Sequence, residues 1–142
     1  MVALYRYILV FIFIAPAAQA STQLLPKCKD LGKYTLKPRL RETLAIHVLQ
    51  HPNTLLLGYD CDLEVLAYLF IDSPSPYDIY KHYFGNPIKG FCRNRTSDIL
   101  TFARAAVDSW KEILQNKIHK KKLFGCNYKK YSRTQKTACV FF

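Results

Sequence analysis

The chain has 142 residues, with 21 Lys plus Arg against 10 Asp plus Glu, and half of it is apolar. That length admits one domain and argues against two. The apolar share excludes a disordered polyelectrolyte in spite of the formal net charge of +11, and the charge itself points to negative partners: glycosaminoglycans, anionic lipid, acidic proteins or nucleic acid.

Residues 1–20 read as a secretory signal peptide. Arg6 supplies the positive start, Ile8 to Ala15 an uncharged apolar run, Pro16 its break, and Ala18-Gln19-Ala20 a small-x-small cleavage site. The stretch between Arg6 and Pro16 is too short to cross a hydrocarbon core of about 30 Å. We therefore expect no membrane span and a single secreted domain over residues 21–142. Secretion in turn governs the five cysteines, Cys28, Cys61, Cys92, Cys126 and Cys139. In an oxidising compartment they are expected to form disulfides rather than bind metal, and an odd count leaves one over or paired with another chain. Asn94-Arg95-Thr96 is an acceptor for N-glycosylation, which fits an exposed segment of a secreted chain.

Residues 21–38 carry Pro26, Gly32 and Pro38 and read as an irregular lead-in. Arg39 to Gln50 predicts a helix, with Leu40, Leu44 and Val48 on one face and Ala45 and Leu49 widening it. His51-Pro52 ends it. Asp60 is the expected cap of a second helix, with Asp62 and Glu64 in the first turn, where the helix dipole favours negative charge. Leu63, Leu66, Ala67, Phe70 and Ile71 form its buried face, and Ser73-Pro74-Ser75-Pro76 stops it. Residues 73–95 read as a long, tyrosine-rich connection in which Cys92 is placed to act as a tie. Asp98 to about Ile118, with Ser97 as cap, predicts one long helix striped by Leu100, Ala103, Val107, Trp110 and Leu114. Gly125–Tyr128 and Thr137–Phe142 predict two strands joined by the basic connection Lys129–Lys136, and a Cys126–Cys139 bridge would close that ribbon.

Catalytic or metal-binding constellations are thin. His47 and His51 share a helix face four residues apart, but no Glu follows at the zinc-protease position and Pro52 ends the helix at once. Asp60, Asp62 and Glu64 are not followed by the glycine that a calcium loop needs. A small secreted ribonuclease would use two histidines and a lysine, and His47 with His119 is the pair available. The basic C-terminal part carries a stronger signal. From Lys111 onward there are nine Lys or Arg and one acid, Glu112. Lys117, Lys120, Lys121, Lys122, Lys129, Lys130, Arg133 and Lys136 are the expected polyanion-binding residues, with Tyr128 and Tyr131 among them. A bland alternative is a solvated surface that keeps the chain soluble. Secretion ranks an anionic glycan or cell surface above nucleic acid.

Several segments resemble the CAP superfamily (cysteine-rich secretory protein, antigen 5, pathogenesis-related 1), in particular its nematode Ancylostoma-secreted type. Leu57-Gly58-Tyr59-Asp60-Cys61-Asp62-Leu63-Glu64 looks like the family's leucine-x-tyrosine-aspartate-cysteine helix start. Ala106-Val107-Asp108-Ser109-Trp110 looks like its tryptophan helix, and Gly125-Cys126 and Ala138-Cys139-Val140-Phe141 like its closing strands. The resemblance implies an α+β fold: an α-β-α sandwich of about three helices on a small antiparallel sheet, stabilised by disulfides. It also implies an extracellular, non-enzymatic binding role, as a parasite excretory-secretory protein acting on host molecules. The family's histidine strand and its glycine-glutamate-asparagine segment are missing here, and Glu112 is the sole acid near the family's helix position. We therefore expect no cavity metal, no cofactor and no family-type catalysis. The disulfides expected under this reading are Cys126–Cys139 and Cys61–Cys92, with Cys28 left over. The expected partner is an extracellular protein or an anionic glycan, with a cytokine-like polyanion binder and a ribonuclease as the competing readings.

Overall fold

The computed structural model describes residues 25–73, 88–94 and 98–142. Residues 1–24, which include the expected signal peptide, most of the tyrosine-rich connection (74–87), Arg95, Thr96 and Ser97 lie outside them.

The first long helix, α1 (Pro38–Leu49), begins on a proline, which needs no N–H partner at that position. Its buried face is Arg41, Leu44, Ala45 and Val48, so a charged residue occupies one slot of the apolar stripe. A 3-10 turn, Pro52–Thr54, follows; its buried Thr54 hydroxyl lies 2.5 Å from the Val48 carbonyl oxygen, closing the helix end. Strand β1 (Gly58–Tyr59) leads directly into α2 (Cys61–Asp72). The Asp60 carboxylate accepts the Leu63 N–H at 2.9 Å, the capping contact expected from its position.

The later elements depart from the sequence expectations in three places. Residues 88–94, expected within a connection, form strand β2 (Ile88–Asn94), paired along its length with the last strand. Only Ile88 of β2 is buried, so the segment lacks the apolar alternation that reveals a strand; its partner's ladder holds it instead. The expected long helix is two, α3 (Ile99–Ser109) and α4 (Lys111–Asn116), divided at Trp110 with φ −97° and ψ 1°. The buried indole anchors this break, its Nε1 donating to the Gly90 carbonyl oxygen at 3.4 Å, a constraint from 20 residues away that periodicity does not encode. The α3 cap is Asp98 rather than the expected Ser97, its carboxylate accepting from the Leu100 and Thr101 N–H groups, and Leu100, expected on the buried stripe, is exposed while Phe102 is buried. Strands β3 (Leu123–Lys130) and β4 (Thr134–Phe141) are longer than expected and take in part of the basic connection, leaving a turn at 131–133.

The sheet order is β1-β3-β4-β2. β1 runs parallel to β3 and the other pairs are antiparallel, so the sheet is mixed rather than wholly antiparallel. Alternation along β4 divides the core into two layers. Ala138 and Val140 pack with Leu66, Ala67 and Ile71 of α2 and with Ile88. Cys139 and Phe141 face the other way, with Phe124 and Cys126, toward Leu44 and Val48 of α1, Ala103 and Val107 of α3, and Leu114 of α4. Helices thus cover both faces of the sheet, as an α-β-α sandwich requires.

The disulfides are Cys28–Cys61 and Cys126–Cys139, and Cys92 is free and exposed. This overturns the expected Cys61–Cys92 bridge and the assignment of Cys28 as the odd thiol. Cys61 follows β1 at one edge of the sheet, whereas Cys92 lies on β2 at the other. Three interstrand spacings amount to roughly 14 Å, about twice what a disulfide spans between Cα atoms. The lead-in passes beside the start of α2 and supplies Cys28 there, with a Cα–Cα distance of 5.5 Å.

Candidate functional site

Two constellations of polar side chains stand out, one buried and one on the surface. The buried one lies beside the β1 edge of the sheet. Glu64, in the first turn of α2, is fully buried, and its carboxylate is met from three sides. Arg41 grips it with two bonds, Nε to Oε2 at 2.6 Å and Nη2 to Oε1 at 2.9 Å. The Leu36 N–H donates to Oε1 and the Tyr59 hydroxyl to Oε2, both at 2.6 Å. Arg41 places its remaining N–H groups on the carbonyls of Pro26, Lys27 and Leu36. The Glu64 hydrogen bond raises the Arg41 pKa further, and burial, reinforced by Glu64, pushes the Tyr59 phenol far above its ordinary value.

Two residues make room for this arrangement. Gly125 lies against the α2 backbone, where a Cβ would come within 2.4 Å of the Glu64 nitrogen. Asn127, on the same face of β3, donates to the Glu64 and Tyr34 carbonyls at 3.1 and 2.8 Å. Every Arg41 N–H and both Glu64 oxygens are occupied, so the network offers no open valence to a substrate. It is a lock between the lead-in, α1, β1, α2 and β3. Arg41 is not singled out by a motif, and the sequence marks Glu64 only as a first-turn acid of the family-like helix start, but each is a charge inside an apolar helical stripe. Two such charges of opposite sign are the signal of a buried pair.

The surface constellation lies at the hairpin end of the sheet and alternates cations with aromatic rings. Lys33 Nζ sits 5.1 Å from the Tyr34 ring, and Tyr34 meets Tyr68 edge-on with centroids 5.2 Å apart. Lys129 Nζ lies 5.2 Å from the Tyr68 ring and 5.4 Å from that of Tyr131, and Lys136 Nζ lies 5.2 Å from Tyr131 on its own account. Lys129 also pairs with Asp72, which raises its pKa. The Tyr131 hydroxyl donates to the Ile71 carbonyl at 3.3 Å, and burial raises its pKa while neighbouring Lys129 lowers it. Lys130 and Arg133 are exposed beside this row. Cys92 is paired in register opposite Lys136, and Asn94, the expected glycan acceptor, is exposed opposite Thr134. Tyr34 and Tyr68 joined this row without a sequence signal, because tertiary packing alone brings the lead-in and α2 beside the hairpin.

The eight basic residues expected to form one docking patch are therefore divided. Lys129, Lys130, Arg133 and Lys136 are at the hairpin end, and Lys117, Lys120, Lys121 and Lys122 precede β3 at the other. Strand β3 separates them by roughly 23 Å. The histidines are placed apart from any such cluster. His47 Nδ1 is 3.3 Å from Gln50 Oε1 and His119 is exposed after α4, with no described contact joining them; His82 lies outside the described residues. Glu112 is exposed on α4. Among the described residues no three His, Cys, Asp or Glu side chains converge to hold a metal ion, and no helix is long and apolar enough to cross a membrane.

The family described as Ancylostoma-associated secreted protein related matches residues 28–141. Among solved structures, Ancylostoma-secreted protein Ac-ASP-7 superposes with a TM-score of 0.57 at 17% identity, over 75% of this chain and 70% of that one. Manganese-bound Ac-ASP-7 gives 0.58 at 17% identity, over 78% and 72%. No curated protein matches. At this identity the structures attest the fold, while the family match spans nearly all of the described chain. The chain belongs to the Ancylostoma-associated secreted protein related family, a nematode type of CAP protein, and its two disulfides fit the extracellular setting of that family.

Proposed function

We propose that this protein is an extracellular binding protein without catalytic activity, which presents the lysine–tyrosine row at the hairpin end to an anionic host molecule, a sulfated glycan in the first instance. The alternation Lys33, Tyr34, Tyr68, Lys129, Tyr131, Lys136 is the observation that carries this reading. Ring faces hold the ammonium groups in place, so their charge is ordered before a ligand arrives and less conformational entropy is lost on binding. The exposed Lys130 and Arg133 extend the row. An N-glycan on Asn94, part of the same proposal, would be seen as a mass loss on glycosidase treatment.

One structural neighbour is a manganese-bound form of Ac-ASP-7. The described residues of this chain do not fit a bound metal, since they bring no three donor side chains together, and we draw no chemistry through one.

The test is elution from immobilised heparin. Wild type should elute at clearly higher salt than Lys129→Glu/Lys136→Glu, because each lost contact weakens a screened electrostatic attraction. Elution of both at the same salt would overturn the proposal.

A further inference from the structure

We infer that the opposite pole of the molecule, where β1 and β3 begin and β4 ends, docks on the surface of an anionic lipid bilayer. Its tip is a turn, closed by Leu57 N–H donating to the Thr54 carbonyl at 3.0 Å, that carries Leu55 and Leu56 at its centre. Both are exposed, Leu56 by 98% and Leu55 by 63%, while the flanking Thr54 and Leu57 are buried. Turn centres ordinarily carry Gly, Pro, Asn, Asp or Ser. Two leucines held into solvent by buried neighbours are a preformed apolar prong.

Three contacts gather cations around that prong. Asn53 Nδ2 donates to the Gln115 carbonyl at 2.5 Å, tying the turn to the end of α4 just before Lys117. The Gly58 N–H donates to the Lys122 carbonyl at 2.8 Å, so the lysine run ends beside the strand that leaves the turn. The Lys122 and Leu123 N–H groups donate to the Phe142 carbonyl at 2.8 and 2.9 Å, bringing in a third exposed apolar side chain. Lys117, Lys120 and Lys122 are exposed and Lys121 half-buried; of the acids, Glu112 is exposed on α4, Asp60 follows β1, and Asp62 lines a cavity with Phe142.

Exposed aliphatic side chains rimmed by lysines match a membrane interface of negative charge. The leucines can enter the acyl boundary while the ammonium groups stay at the headgroups. A soluble polyanion offers nothing to Leu56, and among the described residues the hairpin pole, with its tyrosines, has no such aliphatic prong. The two poles therefore suit different partners, and this inference does not rest on the glycan reading.

Co-sedimentation with phosphatidylcholine vesicles, with and without phosphatidylserine, tests it. Wild type should sediment with the phosphatidylserine vesicles alone. Leu55→Ser/Leu56→Ser should lower partitioning by about tenfold or more, and Lys120→Glu/Lys122→Glu should abolish it. Neither leucine packs in the core, and the leucine variant should elute from heparin as wild type does, which separates this result from the hairpin proposal. Failure of wild type to sediment, or equal sedimentation of wild type and the leucine variant, would overturn the inference. So would leucine-dependent self-association without lipid binding, which would mark the prong as a protein contact.

Discussion

At the scale of the residue, Arg41 and Glu64 carry the largest local stake. A buried ion pair stabilises a fold little against apolar replacements, but removing one partner strands the other charge away from water. Arg41→Met should therefore destabilise the protein by about 3–5 kcal/mol, measured by urea denaturation. The double variant Arg41→Met/Glu64→Gln should recover part of that loss, and strictly additive effects would show that the pair is not coupled. Tyr59 adds a pH dependence. Its folded pKa lies above the unfolded value of about 10 because burial and Glu64 oppose the phenolate. The stabilisation is thus complete below about pH 10 and is lost as pH rises toward the folded value. Alkaline unfolding should be less steep in Tyr59→Phe, and in wild type this phenol should ionise together with loss of structure, as read by tyrosinate absorbance. Much of this was half-visible in the sequence: charges stand inside two apolar stripes. That they meet was not, because 23 residues and a change of layer separate them.

At the scale of the element, local rules explain starts and stops, and tertiary contacts explain breaks. The Asp60 cap, the proline at the start of α1 and the stop at Ser73 follow from nearest-neighbour chemistry. The interruption at Trp110 and the strand at β2 do not, since each depends on a partner remote in sequence. The seat of α2 on β3 is the most demanding of these contacts. A Cβ on Gly125 would meet backbone atoms of α2 at 2.4 to 2.6 Å, with no flexible side chain to yield. Gly125→Ala should cost about 3 kcal/mol or more and lower the thermal midpoint, whereas Gly90→Ala, which meets only the Phe70 ring at 3.0 Å, should be milder.

At the scale of the whole molecule, the two disulfides act on different parts of the sandwich. Cys28–Cys61 fastens the lead-in to α2 across a separation of 33 residues, and Cys126–Cys139 joins the central strands across 13. By loop-closure entropy their removal should cost about 3.7 and about 2.9 kcal/mol respectively, so the Cys28→Ser/Cys61→Ser variant should unfold first in a thermal series. Non-reducing peptide mapping should recover a 28–61 linkage and a modifiable Cys92. A 61–92 linkage would contradict the arrangement of the sheet edges. The division of basic residues into two poles is also a property of the whole molecule, because the strand between them sets their distance.

The sequence alone determined the composition-level facts and much of what is local: the Asp60 cap, the stop at Ser73, most of the apolar faces, the terminal ribbon, and a family resemblance carried by short motifs. The Asp60 cap, the stop at Ser73 and the terminal ribbon hold because they depend on neighbours a few residues apart, whereas the expected Ser97 cap gives way to Asp98 and Leu100 of the expected buried stripe is exposed. The tertiary structure decided which cysteines pair, where the long helix breaks, that Arg41 meets Glu64, and that one basic tail is two surfaces. Each of those depends on strand order and layer packing, which bring together residues whose separation in the chain contains no record of their distance in space.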